Sequence, residues 1–366
     1  MTKQPQRYAY TPDYACPPGE LIQEYLDSLD ISARELARRC GRSGKLMAEI
    51  ASGRAPIEPA TALQLERVLG VSASIWSGME AAYQLHQAKE AENRELEACY
   101  KWASDFPLKE LAERDLIDRS GTKSDQVREM LRFFGVGNVK ACDERVLELL
   151  DGDYRTSDTF KNDELSLATW LQIGERRAAG IETKAYSRDA FIKALTAIRE
   201  LTLIPIDKAL PELAEQCAEA GVAFILEKPL NKVRASGVAR WLSPRKALIQ
   251  QSLRHKSDDH FWFTFFHECA HILLHSRRET FIDMTKGPGS GKPVQEAEAN
   301  AWAADFLVPA PALKKFVRSF SKTPEEVQYF AAAHRVAPGI VVGQLQHAHV
   351  LGYNELNHLK IRYEWV

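Results

Sequence analysis

The sequence predicts an α+β protein, mainly α, in three parts, and three observations carry that reading. Short apolar stripes of helical period, punctuated by Ser, Gly and Pro, fill residues 19–90 and recur to about residue 200. A group of β-rich segments, VAFILEK, ASGVARWL and KALIQQS, then follows a helix ending at Gly221. Next comes FTFFHECAHILLH, residues 263–275, in which three histidines and a glutamate interrupt a greasy run before the pattern returns to helix. The expected parts are a five-helix domain at 14–90, a helical middle region at 91–204, and a domain with a small sheet at 205–366.

At 366 residues, 45% hydrophobic and 27% charged, the chain is too long for one simple domain. A net charge of -2 excludes a global basic field, so any DNA contact must come from a local patch. The six cysteines form no CxxC pair, which points to a reducing cytoplasm rather than a disulfide framework. MTKQPQRYAYTPDYACPPGE holds no apolar segment, and no run of about 18 apolar residues occurs, so neither export nor membrane insertion is expected.

In the first part, GELIQEYLDSL, SARELARRC, GKLMAEIAS, PATALQLERVLG and SIWSGMEAAYQLHQAK are five amphipathic segments. Ser32 can cap the second, with Leu36, Ala37 and Cys40 inward. Gly41 supplies a turn, and Ser43 caps the third, with Leu46, Met47 and Ile50 inward. That is helix-turn-helix spacing. With PPGELIQEYLDSLDIS before it and PATALQLERVLGVSASIWSGMEAAYQL after it, the segment resembles lambda-repressor-like domains of XRE type, specifically the HigA antitoxin family. The resemblance implies operator DNA as a partner and a homodimer on a palindromic site. It implies Ser43, Gly44, Lys45 and Ala48 toward base edges, with Arg34, Arg38, Arg39, Arg42 and Arg54 near phosphates. Gly44, Leu46 and Ala48 depart from the family pattern by offering few hydrogen bonds for reading bases. The competing reading is that the arginines form a solvated face and the domain binds a protein.

From residue 88 the charged stretch AKEAENRELEACYKWA has no Gly or Pro and reads as a continued, solvated helix. LKELAERDLI, DQVREMLRFFGV and LATWLQIGERRAAG keep the helical pattern without a catalytic constellation.

Of ten histidines, only His86 precedes residue 254. On a helix His267 and His271 stand about 6 Å apart along the axis and roughly 40° apart around it, so both rings can reach one ion. Glu268 falls about 100° away, placed to act as a general base. Zinc needs a third ligand, and PVQEAEANAWAADFLVP offers Glu296 or Glu298. Glu296 shares a stripe with Ala299, Asn300, Ala303, Phe306 and Leu307, whereas Glu298 lies on the wetter side with Asp305. Glu296 is therefore the expected ligand, and Asn300, one turn on, can hold a ligand ring. His275 lies about 12 Å along the axis from His267, too far to ligate beside it, and is expected to hydrogen-bond near the site from the helix end. Cys269 points to the core.

FTFFHECAHILLH followed by EAEANAWAADFLVP resembles the ImmA/IrrE zinc metallopeptidases, over roughly residues 205–366. The resemblance implies a zincin-like domain, with Zn2+ on His267, His271 and Glu296 and with Glu268 as catalytic acid/base. It further implies an endopeptidase acting on a repressor, an antitoxin or the chain itself. The alternative is a non-catalytic HigA-type antitoxin or repressor whose zinc domain binds a partner or senses a signal. KALIQQS is expected to offer an open strand edge to an extended peptide. His334, His347, His349 and Tyr353 are candidates for oxyanion stabilisation.

Overall fold

The computed structural model describes residues 15–150, 162–276, 280–284 and 293–365. The N-terminal stretch through Tyr14, residues 151–161 of the middle region and Val366 therefore lie outside the described residues. The helices along the first half are α1 (Pro18–Leu29), α2 (Ala33–Cys40), α3 (Gly44–Ala51), α4 (Pro59–Leu69), α5 (Ala73–Ala98), α6 (Tyr100–Ser104), α7 (Leu108–Glu113), α8 (Lys123–Phe134) and α9 (Val139–Leu149). There follow α10 (Asn162–Ala179), α11 (Arg188–Glu200), α12 (Ile206–Glu219), β1 (Val222–Leu226), β2 (Ala235–Ser243) and β3 (Lys246–Gln251). The last elements are α13 (Asp258–Leu274), β4 (Phe281–Met284), α14 (Pro293–Leu307), α15 (Ala310–Val317), α16 (Pro324–His334) and α17 (Pro338–His347). The fold is α+β and mainly α, as the sequence predicts. No helix among the described residues is long and apolar enough to cross a membrane.

The chain forms two compact units: the residues up to Tyr100 with Gly121–Val127, and Lys101–Ser120 with Arg128–Val366. In the first, α1 to α5 close around Ile22, Leu36, Met47, Ile50, Leu65 and Trp76. Helix ends follow from sequence: the Ser32 hydroxyl accepts from the Glu35 N–H at 3.2 Å and the Ser43 hydroxyl from the Leu46 N–H at 3.1 Å. Gly41 takes the left-handed conformation, φ 64°, that ends α2 and starts the turn. The charged stretch after residue 88 prolongs α5 to Ala98, with Trp76 and Leu96 as its buried residues.

In the second unit a sheet of order β1-β3-β2-β4 has both faces covered. β1 runs parallel to β3, while β2 is antiparallel to β3 and to β4. Side chains alternate across the strands: Val222, Phe224, Ala247 and Ile249 join the core with α12 and α13, whereas Ala223, Ile225 and Leu248 pack with Ala178 of α10. β3 is thus interior, and the expected open edge at KALIQQS is corrected: β1 occupies one side of it and β2 the other. The parallel pairing with β1 was not readable locally, because it requires a crossover through other elements. Within the middle region, α10 supplies the second cover of the sheet and lies in the same unit as it.

Candidate metal centre and helix-turn-helix face

Helix α13 starts after the extended Ser257 and carries Asp258 and Asp259 in its first turn. It is buried nearly all round, as its apolar sequence requires: His267 is 3% exposed, His271 2% and Glu268 not at all. Packing of α13 against α14 brings Glu296 to the histidines. Glu296 Oε2 lies 3.2 Å from His267 Nε2, and Oε1 lies 3.6 Å from His271 Nε2. The two Nε2 atoms are 2.9 Å apart.

The far ring nitrogens fix what faces the centre. Asn300 Oδ1 is 3.0 Å from His267 Nδ1 and, as an acceptor, takes that N–H, leaving the Nε2 lone pair pointing at the cluster. His271 Nδ1 meets His275 Nδ1 at 2.9 Å, and His275 Nε2 meets Glu298 Oε2 at 3.2 Å. With His275 donating to Glu298, its Nδ1 accepts from His271 and again leaves Nε2 unprotonated. Two imidazole lone pairs and a carboxylate converging on one point repel each other unless a cation lies among them. The donor set, two neutral imidazoles and one carboxylate, fits zinc, and His267, His271 and Glu296 are the described His, Cys, Asp and Glu side chains that meet closely enough for one ion. Burial pushes His271 down to about 4, so its ring is neutral near pH 7. Burial alone would raise Glu296, but the His267 and His271 rings against it outweigh burial and hold the carboxyl well below its usual range.

Glu268 does not join the cluster. It lies against β2, where a Cβ on Gly237 would stand 2.4 Å from its Oε1. Phe281 of β4 stacks on the His271 ring at 4.2 Å with planes 14° apart. Gly237, Phe281 and the His275–Glu298 contact were missed by sequence reasoning; a glycine inside a strand was the only local hint. Glu298 is exposed, as expected, yet it touches the site through His275. Cys269 is fully buried. Of the oxyanion candidates, His334 turns back onto its own helix, with Nδ1 2.8 Å from the Phe330 carbonyl, while His347, His349 and Tyr353 are exposed.

On the first unit, Ser43, Gly44, Lys45 and Ala48 form an exposed stripe at the start of α3. Arg34, Arg38, Arg39 and Arg54 are exposed around it. Arg42 is half-buried and donates to Gln64 Oε1 at 2.7 Å. Arg38 and Arg39 both bind Glu35, at 2.7 and 2.9 Å. Arg54 Nε donates to the Ser52 hydroxyl.

The first unit thus holds a helix-turn-helix and the second a His-His-Glu centre. The N-terminal region is 35% identical over 72 residues to an uncharacterized HTH-type transcriptional regulator, YddM, of Escherichia coli strain K12, covering 20% of this chain and 77% of that protein. The chain belongs to the HTH-type transcriptional regulators. Residues 249–345, from β3 through most of α17, match the IrrE N-terminal-like domain of peptidase family M78.

Proposed function

We propose that this chain is a cytoplasmic, homodimeric, DNA-binding transcriptional regulator carrying a zinc-dependent endopeptidase that hydrolyses a regulatory protein: a repressor, an antitoxin or the chain itself. In this reading residues 14–90 bind operator DNA, and residues 205–366, with α10 as their second cover, form the peptidase. The observation that carries the proposal is the convergence of His267, His271 and Glu296 beside Glu268. A zinc ion on those three side chains supplies Lewis acidity, which acidifies water and polarises a carbonyl. Glu268, next in sequence to His267, takes a proton from water and delivers it to the leaving amine. Asn300 and His275 hold the two imidazoles in the tautomers that ligation requires. Gly237 leaves room for the Glu268 carboxylate against β2.

The full burial of Glu268 favours one second reading, a HigA-type antitoxin or repressor whose zinc domain binds a partner or senses a signal without turnover. Zinc analysis and proteolysis separate the possibilities. Purified wild type is expected to hold about one zinc per chain and His267→Ala markedly less; negligible zinc in both defeats the metal assignment. Incubated with the repressor or toxin encoded beside it, wild type is expected to generate fragments that Glu268→Gln does not. Zinc without any difference in fragments supports the second reading. A gel shift with the chain's own promoter region tests the first unit, and failure at low salt points to a protein partner instead.

A further inference from the structure

A second group of polar side chains lies beside the centre and takes no part in it. Arg254, His255 and Lys256 follow β3, and with His260 and Thr264 of α13 and Ser236 of β2 they line a shallow cleft. Ser236 is placed there by a bulge: β2 advances two residues, Ala235 to Gly237, while β4 advances one, Met284 to Asp283. A bulge of this kind re-aims the extra residue. The Ser252 N–H and hydroxyl tie the exit of β3 to this part of β2, on the carbonyls of Ser236 and Ala235.

The cleft is cationic because of its loop. Lys256 has no ion-pair partner among the described residues and is exposed, as are His255 and His260, whose rings stack at 4.2 Å. The nearby acids are committed elsewhere: Asp259 takes Lys360 Nζ at 2.6 Å and the Ser257 hydroxyl, and Asp258 accepts from the Ile361 and Asp259 N–H groups. His255, although exposed, is held below its ordinary range, first by partial desolvation and then by His260 and Arg254, with Asp259 opposing.

The cleft also adjoins the proposed chemistry. Thr264 precedes Glu268 by one helical turn, about 6 Å along the axis. Ser236 precedes Gly237, where an added Cβ would run into the Glu268 carboxylate. An extended peptide advances about 3.3 Å per residue, so the side chain reaching this cleft belongs to a residue within two of the bond beside Glu268.

We propose that this cleft is a specificity subsite for the carboxylate side chain of an Asp or Glu lying within two residues of the scissile bond. The assignment rests on the peptidase reading for its role but not for its existence. Lys256 supplies the charge and the two imidazoles N–H donors, and the Ser236 and Thr264 hydroxyls line the cleft. The reading selects acidic over isosteric amide side chains, because only the former gains the charge-assisted hydrogen bonds.

Two measurements test it. N-acetyl-Glu-Ala-amide and N-acetyl-Gln-Ala-amide are titrated into full-length Glu268→Gln protein while histidine ring resonances are followed by NMR. The acidic peptide is expected to move the His255 and His260 signals at concentrations about tenfold lower than the neutral one. Equal responses, no response, or an equally strong response to N-acetyl-alanine as the free acid overturns the assignment. In the second, zinc-loaded wild type cuts a randomised decapeptide library. Asp and Glu are expected to be enriched within two residues of the cut, and the enrichment to fall about tenfold in Lys256→Gln/His260→Gln. Cleavage without that enrichment, or with enrichment that survives the double substitution, also overturns it. Absence of any cleavage counts against the peptidase reading, and the ring titration still decides the subsite.

Discussion

The Glu268 carboxylate occupies space that a side chain at residue 237 would take. An alanine Cβ there would meet Oε1 at 2.4 Å and Cγ at 2.9 Å, so either the carboxylate or β2 must move. A misplacement of about 1 Å at a reacting group lowers turnover by roughly 10²-fold. On the proposed zinc-peptidase function, Gly237→Ala is therefore expected to bind zinc as wild type does, since the crowded atoms belong to Glu268, and to lose most cleavage activity. A variant that cuts at the wild-type rate would remove Glu268 from the proton path. Asp258, at the other end of α13, gives a prediction in pH. Burial first, and then Asp259, raise its carboxyl to about 6, and its Oδ2 is buried with no hydrogen-bond partner among the described residues. A folded-state value above the unfolded one means the native state holds the proton more tightly. Stability from this group is thus full below about pH 4 and is lost as pH rises toward 6. Asp258→Asn keeps an acceptor for the two backbone N–H groups and carries no charge. It should be more stable than wild type by on the order of 2 kcal/mol at pH 7.5, with the difference gone near pH 4. Urea midpoints at the two pH values measure this, and a gap independent of pH defeats the account. That the two histidines share one stripe was legible, because a helical period places His267 and His271 together whatever the tertiary context. Gly237 and Phe281 were not, since strand-to-helix contacts leave no periodic trace.

At the scale of elements, the sheet explains two glutamines that look misplaced in a strand. Gln250 and Gln251 are neighbours in β3 and fully buried on opposite faces. Gln250 Nε2 donates to the Trp170 carbonyl of α10 and Gln251 Nε2 to the Phe261 carbonyl of α13, both at 2.7 Å. Each amide thereby ties the strand to the helix covering its own face, and neither face can shed its cover without orphaning a buried polar group. Arg240 of β2 completes the attachment of α10. It donates to the Leu171 carbonyl at 2.8 Å and pairs with Glu175 at 3.1 Å, and burial lowers it to about 10 despite that pair. Arg240→Leu leaves the Leu171 carbonyl without this donor and Glu175 with Arg145 alone. Removing one partner of a buried pair costs about 3–5 kcal/mol, and the partial exposure of Glu175 places the expected loss near 3. Chemical denaturation measures it, and a loss below about 1 kcal/mol would mean α10 is not anchored through this residue. The helical part of this architecture was readable from apolar periodicity. The burial of β3 on both sides was not, because its polar QQS ending resembles an edge strand until the helix carbonyls that satisfy it are known.

Across the whole molecule, the -2 net charge makes DNA binding a matter of which cations are free at the helix-turn-helix face. Glu35 engages both Arg38 and Arg39, and they hold its carboxyl down at about 2, so the pairing persists at any working pH. The proposed operator contact is thus partly neutralised from within the first unit. Glu35→Gln keeps the backbone N–H that Ser32 caps and releases two guanidinium groups for phosphates. Exposed pairs of this kind contribute little to folding, so the change should act on binding rather than stability. Each additional neutralised phosphate steepens the dependence of log affinity on log salt by about 0.9. The full-length variant should therefore bind its own promoter DNA more tightly at low salt, with a slope steeper by roughly one to two. Arg34→Gln and Arg54→Gln should weaken binding evenly across sequences and flatten the slope. Fluorescence anisotropy at several salt concentrations reads all four proteins. If the slope is the same in all of them, this face does not lie against phosphate, and the exposed stripe of Ser43, Gly44, Lys45 and Ala48, which offers few groups for reading bases, is better explained as a surface for a protein partner.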